Sequence, residues 1–399
     1  MAKRRVFYIP GFDPLPPRRY RELYRRESRR QAEISGYGIG QKPWRGPGTW
    51  RARSKIEGWV SDAFIEVLTW SDIVKSSMSG SIPATYLALA QTVWTYLSTG
   101  AFQRLVLLRK GPSIAALYPV VVLLLQLVAA IWFGWFVGAQ VGGVFGWATG
   151  ISGFGWLVAL PLMAALLIWF RRVDSRVFAY YLMQDYAFVA SQDGAWPEAL
   201  RPRMAVFGSK IAAALREEVD EVLVIGHSSG AQMAVSVLAD LIRAGEVPEK
   251  GPELSLLTLG QAIPMQSFLP EALKLRADLK LLSETEALQW VDISAPGDGC
   301  AYALCDPVAV SGMAGPESHQ PLVLSAAFSQ TLAPATWGAL RWRFFRLHFQ
   351  YLCAFDRPGD YDYFAITAGP ITLGARFRGR APSKSRIDVA ASPYQTAAA

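Results

Sequence analysis

The strongest constraint on this chain is a run without a charged side chain, residues 111–170. Two apolar segments within it, at about residues 115–137 and 150–170, approach the roughly 20 residues that cross a bilayer as a helix. A helix at the surface of a soluble protein carries a polar face, which neither segment offers. The run predicts a transmembrane helical hairpin with a Gly-rich turn at about residues 140–153. A buried helix pair in a soluble core is the alternative.

The charges around this run indicate its orientation. Basic side chains precede and follow it: Arg104, Arg109, Lys110, Arg171, Arg172 and Arg176. Because Lys and Arg concentrate on the cytoplasmic side of membrane helices, we expect both flanks, and with them the rest of the chain, in the cytoplasm. The first apolar run is only of strand length, so we expect no export signal. The sequence predicts a multi-pass protein of the inner, cytoplasmic membrane.

A second feature is a Gly-x-Ser-x-Gly pattern at residues 226–230. The β-branched run 222–225 before it predicts a buried strand, and the small apolar residues 231–239 after it predict a helix. A serine hydroxyl becomes an effective nucleophile when such a sharp turn holds it clear of the sheet, beside a base and backbone N–H groups. Ser228 is therefore the candidate nucleophile, and a merely structural turn is the alternative. The turn directs the side chain of His227 away from Ser228, so we expect His227 to pack in the core or to line a pocket rather than to act as the base.

This strand, elbow and helix resemble the nucleophile elbow of the α/β-hydrolase superfamily, which includes serine esterases and lipases. The resemblance implies a mostly parallel sheet flanked by helices, and a triad in the chain order Ser, acid, His. It also implies an oxyanion hole formed by the N–H groups of Ser229 and Phe12. Phe12 follows a Pro10-Gly11 pair, where the superfamily commonly has His-Gly.

Two acids and two histidines can complete such a triad. Asp298 follows a predicted strand at residues 288–294 and is the preferred acid. Asp306 is the alternate, since its Asp-Pro pair also makes turns. His348 is the preferred base, because its aromatic neighbours would desolvate the imidazole and keep it neutral. His319, in a polar loop, is the alternate.

Strand and helix patterns alternate on both sides of the uncharged run. This alternation predicts an α/β fold, with a mostly parallel sheet covered by helices and the membrane hairpin inserted into it. We expect a first part of the core at residues 1–75, a membrane-associated insertion at 76–172 and the rest of the core at 173–375. Residues 376–399 lack apolar periodicity and predict a disordered tail.

The composition argues against several kinds of site. Three cysteines and three histidines offer no clustered set of four metal ligands, so we expect no metal, and the triad needs no cofactor. The net charge of +8 is concentrated in an arginine-rich segment at residues 18–30 and in the C-terminal segment. Beside a membrane hairpin, this segment predicts contact with anionic lipid head groups rather than with nucleic acid. A solvated basic helix is the alternative.

These patterns together predict a membrane-anchored serine hydrolase. It would cleave carboxylic ester or thioester bonds of a lipophilic, acyl-lipid-like substrate through an acyl-enzyme, the substrate class being inferred from the bilayer location alone. Two alternatives remain open. One is an acyltransferase that uses the same triad, and the other is a catalytically inactive hydrolase-fold scaffold or binding protein in the membrane.

Overall fold

The computed structural model describes residues 1–150 and 153–398. Its strands are β1 Ala2–Ile9, β2 Gly38–Pro43, β3 Thr49–Ile56, β4 Trp59–Val67, β5 Glu221–His227, β6 Glu253–Leu259, β7 Gln289–Ser294 and β8 Leu322–Ser325. They form an eight-stranded sheet in the order β2-β3-β4-β1-β5-β6-β7-β8. The strands from β4 to β8 pair in parallel, whereas β2 and β3 add antiparallel pairs at one edge. The prediction of an α/β fold with a mostly parallel sheet is confirmed.

Helices connect and cover these strands. The α-helices in the described ranges are α1 Pro17–Ser35, α2 Ser71–Met78, α3 Ile82–Ser98, α4 Ala101–Leu108, α5 Lys110–Thr149, α6 Gly155–Arg172, α7 Asp174–Val177, α8 Ala179–Ala190, α9 Arg201–Ala214, α10 Gly230–Arg243, α11 Ile263–Ser267, α12 Leu273–Glu284, α13 Pro307–Val310, α14 Phe328–Thr331, α15 Pro334–Leu340, α16 Phe344–His348, α17 Tyr363–Ala368 and α18 Leu373–Phe377. A 3-10 turn, Phe349–Leu352, continues α16.

The chain divides into two compact units. The sheet unit consists of Met1–Lys75, Tyr96–Pro112 and the described chain from Ser191 onwards. Its central strand β5 is buried at every position, as a parallel strand covered on both faces must be, and this explains its uninterrupted apolar run. The helical unit consists of Ser76–Thr95 and Ser113–Ala190.

Within the helical unit, α5 and α6 are long and apolar enough to cross a membrane, with mean hydropathies of 2.5 and 1.4 in their most apolar windows. A methyl group at Gly138 would lie 2.6 Å from the carbonyl oxygen of Gly155 and 2.9 Å from Cβ of Ala159. Small residues of this kind allow two helix backbones to approach closely, which is a packing mode common in membranes. Many large apolar side chains of both helices are exposed, among them Leu125, Trp135 and Trp147.

The predicted turn within the uncharged run differs from the structure. Helix α5 continues to Thr149 and so occupies most of residues 140–153. Residues 151–152, which fall in that turn and in the predicted span 150–170, lie outside the described residues. Gly142 would bring a methyl group within 2.9 Å of Cα of Gly155. Glycine at this position therefore serves close helix packing rather than a turn.

The C-terminal segment also differs from the disordered tail that its composition predicts. The N–H of Ser383 donates to the carbonyl of Val323 at 2.9 Å, and Ile387 forms a β-bridge with Cys305. Backbone groups make these contacts, so they need no apolar periodicity in the side chains. Residues 376–398 are consequently held against the sheet unit.

Candidate active site

The Gly-x-Ser-x-Gly segment forms a strained turn between β5 and α10. Ser228 has φ +57°, a left-handed conformation that residues other than glycine rarely adopt. A methyl group at Gly226 would lie 2.6 Å from Cα of Ala231. One at Gly230 would collide with the carbonyl oxygen of Ile9. The two glycines therefore permit the tight approach that leaves Ser228 at the apex of the turn.

The position of this turn in the sheet matters for ligand binding. The chain proceeds from β1 to β2, β3 and β4 on one side, and from β5 to β6, β7 and β8 on the other. Ligands of open α/β sheets bind outside the carboxyl ends of the strands at such a switch point. Ser228 follows the carboxyl end of β5, and Phe12 follows that of β1. Both residues therefore follow the carboxyl ends of the two paired strands at this switch point.

A buried carboxylate and imidazole face each other in the same unit. Nδ1 of His348 lies 2.7 Å from Oδ2 of Asp298, and both side chains are almost fully buried. The hydroxyl of Tyr351 donates to the same oxygen at 3.0 Å, and the N–H of Cys300 donates to Oδ1 at 2.9 Å. In a neutral imidazole whose Nδ1 donates to this carboxylate, Nε2 carries the lone pair. Nε2 of His348 is buried and has no hydrogen-bond partner among the described residues.

The end of β6 connects the nucleophile candidate to the base candidate. The N–H of Ser228 donates to the carbonyl of Leu259 at 3.0 Å. At the next residue, Gly260, a methyl group would lie 3.2 Å from Cε1 of His348. Ser228 Oγ and His348 Nε2 do not hydrogen-bond in this structure. Such catalytic bonds are often long in the absence of substrate and tighten when it binds.

His227 packs against the candidate base His348. Its ring stacks on that of His348 with centroids 4.7 Å apart, and its Nε2 lies 3.0 Å from the His348 carbonyl oxygen. If Nε2 donates there, Nδ1 accepts from the Tyr8 hydroxyl at 3.1 Å. Burial, and secondarily the proximity of His348, lower the pKa of His227 well below its usual range. A neutral His227 therefore fixes the backbone that carries His348.

The N–H groups of Ser229 and Phe12, the two candidate oxyanion donors, differ in their surroundings. Helix α10 begins at Gly230, so the N–H of Ser229 precedes the hydrogen-bonded helical turns. The N–H of Phe12 donates to Oγ of Ser229 at 2.8 Å. A methyl group at Gly11 would lie 2.9 Å from Cβ of Ser228, so glycine lets the loop after β1 reach the elbow. Phe12 therefore lies next to the elbow, and its N–H is engaged by the Ser229 hydroxyl.

Both alternates occupy other positions. The side chain of His319 is 40 % exposed, and its Nε2 lies 3.4 Å from a carboxylate oxygen of Glu286. Asp306 is the N-cap of α13 and accepts two N–H groups of its first turn, at 3.0 and 3.1 Å. Burial raises the pKa of Asp306. The structure gives Asp306 a capping role and His319 a surface position, and it pairs Asp298 with His348 instead.

Among residues 1–150 and 153–398, the same cluster comes nearest to a metal site. Ligand atoms of Asp298, Cys300 and His348 lie within 4.8 Å of one another. An ion bound through Nδ1 of His348 would replace the hydrogen bond to Asp298, and a tetrahedral site would need a fourth ligand.

Sequence reasoning missed Tyr351, whose hydroxyl donates to the carboxylate of Asp298. Its spacing of three residues from His348 is the signal that could have indicated it, because such residues share a helical face.

Comparisons of the chain with protein-family models, with curated proteins and with solved structures give no match. Function is therefore inferred from the chemistry and geometry of this site alone.

Proposed function

We propose that this protein is a membrane-anchored serine hydrolase of the α/β-hydrolase type, which cleaves ester or thioester bonds of a lipophilic acyl substrate. The observation that carries the proposal is the buried Asp298–His348 pair, which lies at the carboxyl ends of the strands, where a strained turn also presents Ser228. A left-handed serine and a buried imidazole nitrogen without a partner are both uncommon. Because both occur at the carboxyl ends of the strands of one sheet, a shared catalytic role is favoured.

In this proposal Ser228 Oγ attacks the substrate carbonyl carbon while its proton passes to Nε2 of His348. Asp298 fixes the tautomer and stabilises the imidazolium that forms. The imidazolium then protonates the leaving alkoxide or thiolate, and the acyl group remains on Ser228. Water, activated by the same imidazole, releases the acid in a second round.

The N–H groups of Ser229 and Phe12 would stabilise the oxyanion in this mechanism. Because the Phe12 N–H is bonded to the Ser229 hydroxyl, that hydroxyl must rotate away when the substrate carbonyl enters. The closed bond keeps the donor in place before substrate binds. It also predicts that the Ser229 side chain competes with the substrate.

The helical unit supplies the support for a membrane location. Helix α5 has 40 residues and is therefore about 60 Å long, twice the roughly 30 Å of a hydrocarbon core. Its exposed apolar side chains need lipid or a partner to cover them. Basic residues precede α5 and follow α6, which supports a hairpin with the sheet unit on the cytoplasmic side of the inner membrane.

The inactive scaffold is the second candidate, and two observations favour it. Ser228 and His348 are not hydrogen-bonded, and the Phe12 N–H is occupied. An inactive protein would bind an acyl ligand without turning it over. An acyltransferase is the third candidate, and it differs from the hydrolase only in the acceptor of the acyl group.

Hydrolysis of p-nitrophenyl esters by the detergent-solubilised protein tests these candidates. We expect Ser228→Ala, His348→Gln and Asp298→Asn to reduce kcat by about 10³-fold or more. His319→Gln is the matched control and should retain the wild-type rate. Full activity in Ser228→Ala would contradict the proposal, and a folded wild type without turnover would favour the scaffold. Ester formation with an added alcohol, at the expense of free acid, would indicate an acyltransferase.

A further inference from the structure

A basic groove lies on the surface of the sheet unit. Helix α1 lines one side, and α15 and α16 with the 3-10 turn that follows line the other, enclosing about 1270 Å³. We call it the arginine groove, because its lining includes Arg19, Arg25, Arg26, Arg29, Arg30, Arg343 and Arg346. The carboxylates that also line it are Glu22 and Glu27.

Only part of this positive charge is neutralised by the protein. Arg25 pairs with Glu22 at 2.9 Å, and Arg26 pairs with Glu27 at 2.8 Å. Arg30 pairs with Asp356, which lies outside the lining. Within the described part of the chain, four exposed arginines of the groove form no ion pair: Arg19, Arg29, Arg343 and Arg346. Like charges gathered from two elements repel each other, and a bound anion would relieve this repulsion.

One wall of the arginine groove leads to the candidate base. Helix α16 contains both Arg346, which lines the groove, and His348, two residues later. The next residue, Phe349, also lines the groove, and its ring packs edge-on against that of His227 at 5.3 Å. A ligand on this wall is therefore held by the element that positions the imidazole.

The opposite wall leads to the candidate oxyanion donor. Tyr20 of α1 lines the groove, and its hydroxyl donates to the carboxylate of Asp13. Asp13 directly follows Phe12 and accepts the N–H of Leu15 at 2.8 Å, which fixes the loop between β1 and α1. The two walls of the groove thus adjoin the helix that contains the candidate base and the loop that contains the candidate oxyanion donor.

We propose that the arginine groove binds a phosphate group of the substrate, so that the ester or thioester cleaved at Ser228 belongs to a phosphate-bearing molecule. Guanidinium groups bind phosphate oxygens in pairs of parallel hydrogen bonds, which suits them to this ligand. A phospholipid and an acyl thioester of a nucleotide carrier such as coenzyme A share this chemistry. The proposal rests on the proposed hydrolase function.

The shape of the groove favours binding of a single phosphate-bearing molecule rather than contact with the flat surface of an anionic bilayer. Its arginines lie on two walls, and its lining also includes the apolar residues Leu23, Leu340 and Phe349. Lipid head groups that remain in a membrane plane contact projecting charges and do not enter such a recess. A single phosphate-bearing molecule can contact both walls and place its acyl chain along the apolar residues.

Binding of inorganic pyrophosphate, measured by isothermal titration calorimetry on the detergent-solubilised protein, tests the groove without requiring turnover. We expect Arg343→Gln, Arg346→Gln and Arg29→Gln each to raise Kd about tenfold, as the loss of one charge-assisted contact does. Arg341→Gln and Arg18→Gln are the matched controls, because these exposed arginines adjoin the same walls outside the lining. Equal losses in the controls, or no binding at millimolar pyrophosphate, would overturn the proposal.

Kinetics then distinguish the two sources of phosphate. A short-chain diacyl phosphatidate and an acyl-coenzyme A are compared with a neutral diacylglycerol, and preference for either phosphate-bearing substrate supports the proposal. Equal kcat/KM for all three would overturn it, even though hydrolase activity itself would then be established. So would groove variants that weaken binding to vesicles of phosphatidylglycerol and phosphatidylcholine but leave pyrophosphate binding intact, because the groove would then be a membrane contact.

Discussion

Gly230 is the position where the elbow packs most closely on the neighbouring strand. A methyl group there would lie 2.6 Å from the carbonyl oxygen of Pro10 and still closer to that of Ile9. Both atoms belong to the backbone at the end of β1, so no side-chain rotation can relieve the contact. Gly230→Ala must therefore push the elbow away from the loop that contains Phe12.

The expected cost follows from these contacts. Overpacking of a rigid site costs about 1–3 kcal/mol or more, while alanine returns up to about 1 kcal/mol of helix propensity at an unstrained position. We expect Gly230→Ala to lower the free energy of unfolding by about 1–3 kcal/mol. A displacement near 1 Å of groups that must align in catalysis can also lower kcat about 10²-fold.

Chemical unfolding of the detergent-solubilised protein gives the stability, and ester hydrolysis at a temperature where both forms are folded gives the activity. Gly338→Ala is the matched control, because Gly338 lies in α15 and a methyl group there meets no atom within 4 Å. This control should be as stable as the wild type or slightly more stable. Wild-type stability and activity in Gly230→Ala would refute the inferred close approach of elbow and strand.

Three further predictions concern buried polar groups. Burial raises the pKa of Asp292 to about 7. Between about pH 4 and pH 7, the unfolded chain therefore releases a proton that the folded chain retains, and the wild type should lose stability as the pH rises through this range. Asp292→Asn should remove this contribution to the pH dependence, which is worth up to about 4 kcal/mol. Urea unfolding at pH 4 and pH 8 measures the contribution, and identical pH profiles of the wild type and the variant would contradict the raised pKa of Asp292. Tyr351→Phe removes a donor to the candidate acid Asp298 and the acceptor of the Ala295 N–H. Calorimetry should show a loss of about 1–3 kcal/mol of stability, and ester hydrolysis should show a lower kcat. Unchanged stability and kcat would exclude a supporting role for Tyr351. Ser229→Ala frees the Phe12 N–H and should raise kcat/KM about two- to tenfold, whereas a large loss would mean that the Ser229 hydroxyl takes part in the chemistry.

The elbow was predictable because its signals are local. Strand, turn and helix follow one another between residues 222 and 239, and each has its own pattern. Strand β3, which lies between the edge strand β2 and β4, was missed, although Trp50, Ala52 and Ile56 alternate with exposed or half-buried residues along it. Charged side chains on its outer face, including Arg51 and Arg53, obscured a two-residue period that is typical of a half-covered strand.

The sequence supplied the candidate residues of the site, whereas their contacts depend on the fold. Asp298 and His348 are far apart in the chain, and only the fold brings them to 2.7 Å. The aromatic environment indicated a buried imidazole at His348, whereas the exposed position of His319 follows from its polar loop. The bond between the Phe12 N–H and the Ser229 hydroxyl depends on how β1 and β5 pair, which no local pattern records.

Identification of the residue that reacts with a fluorophosphonate tests the central claim most directly, because this reagent modifies serines that a neighbouring base activates. The wild-type protein is labelled in detergent, and peptide mass spectrometry locates the adduct. We predict one adduct, on Ser228, absent in Ser228→Ala and strongly slowed in His348→Gln but not in His319→Gln. An adduct on Ser229 or elsewhere would contradict the assignment of Ser228 as the nucleophile. A folded protein that stays unlabelled while a control hydrolase reacts would contradict the hydrolase function.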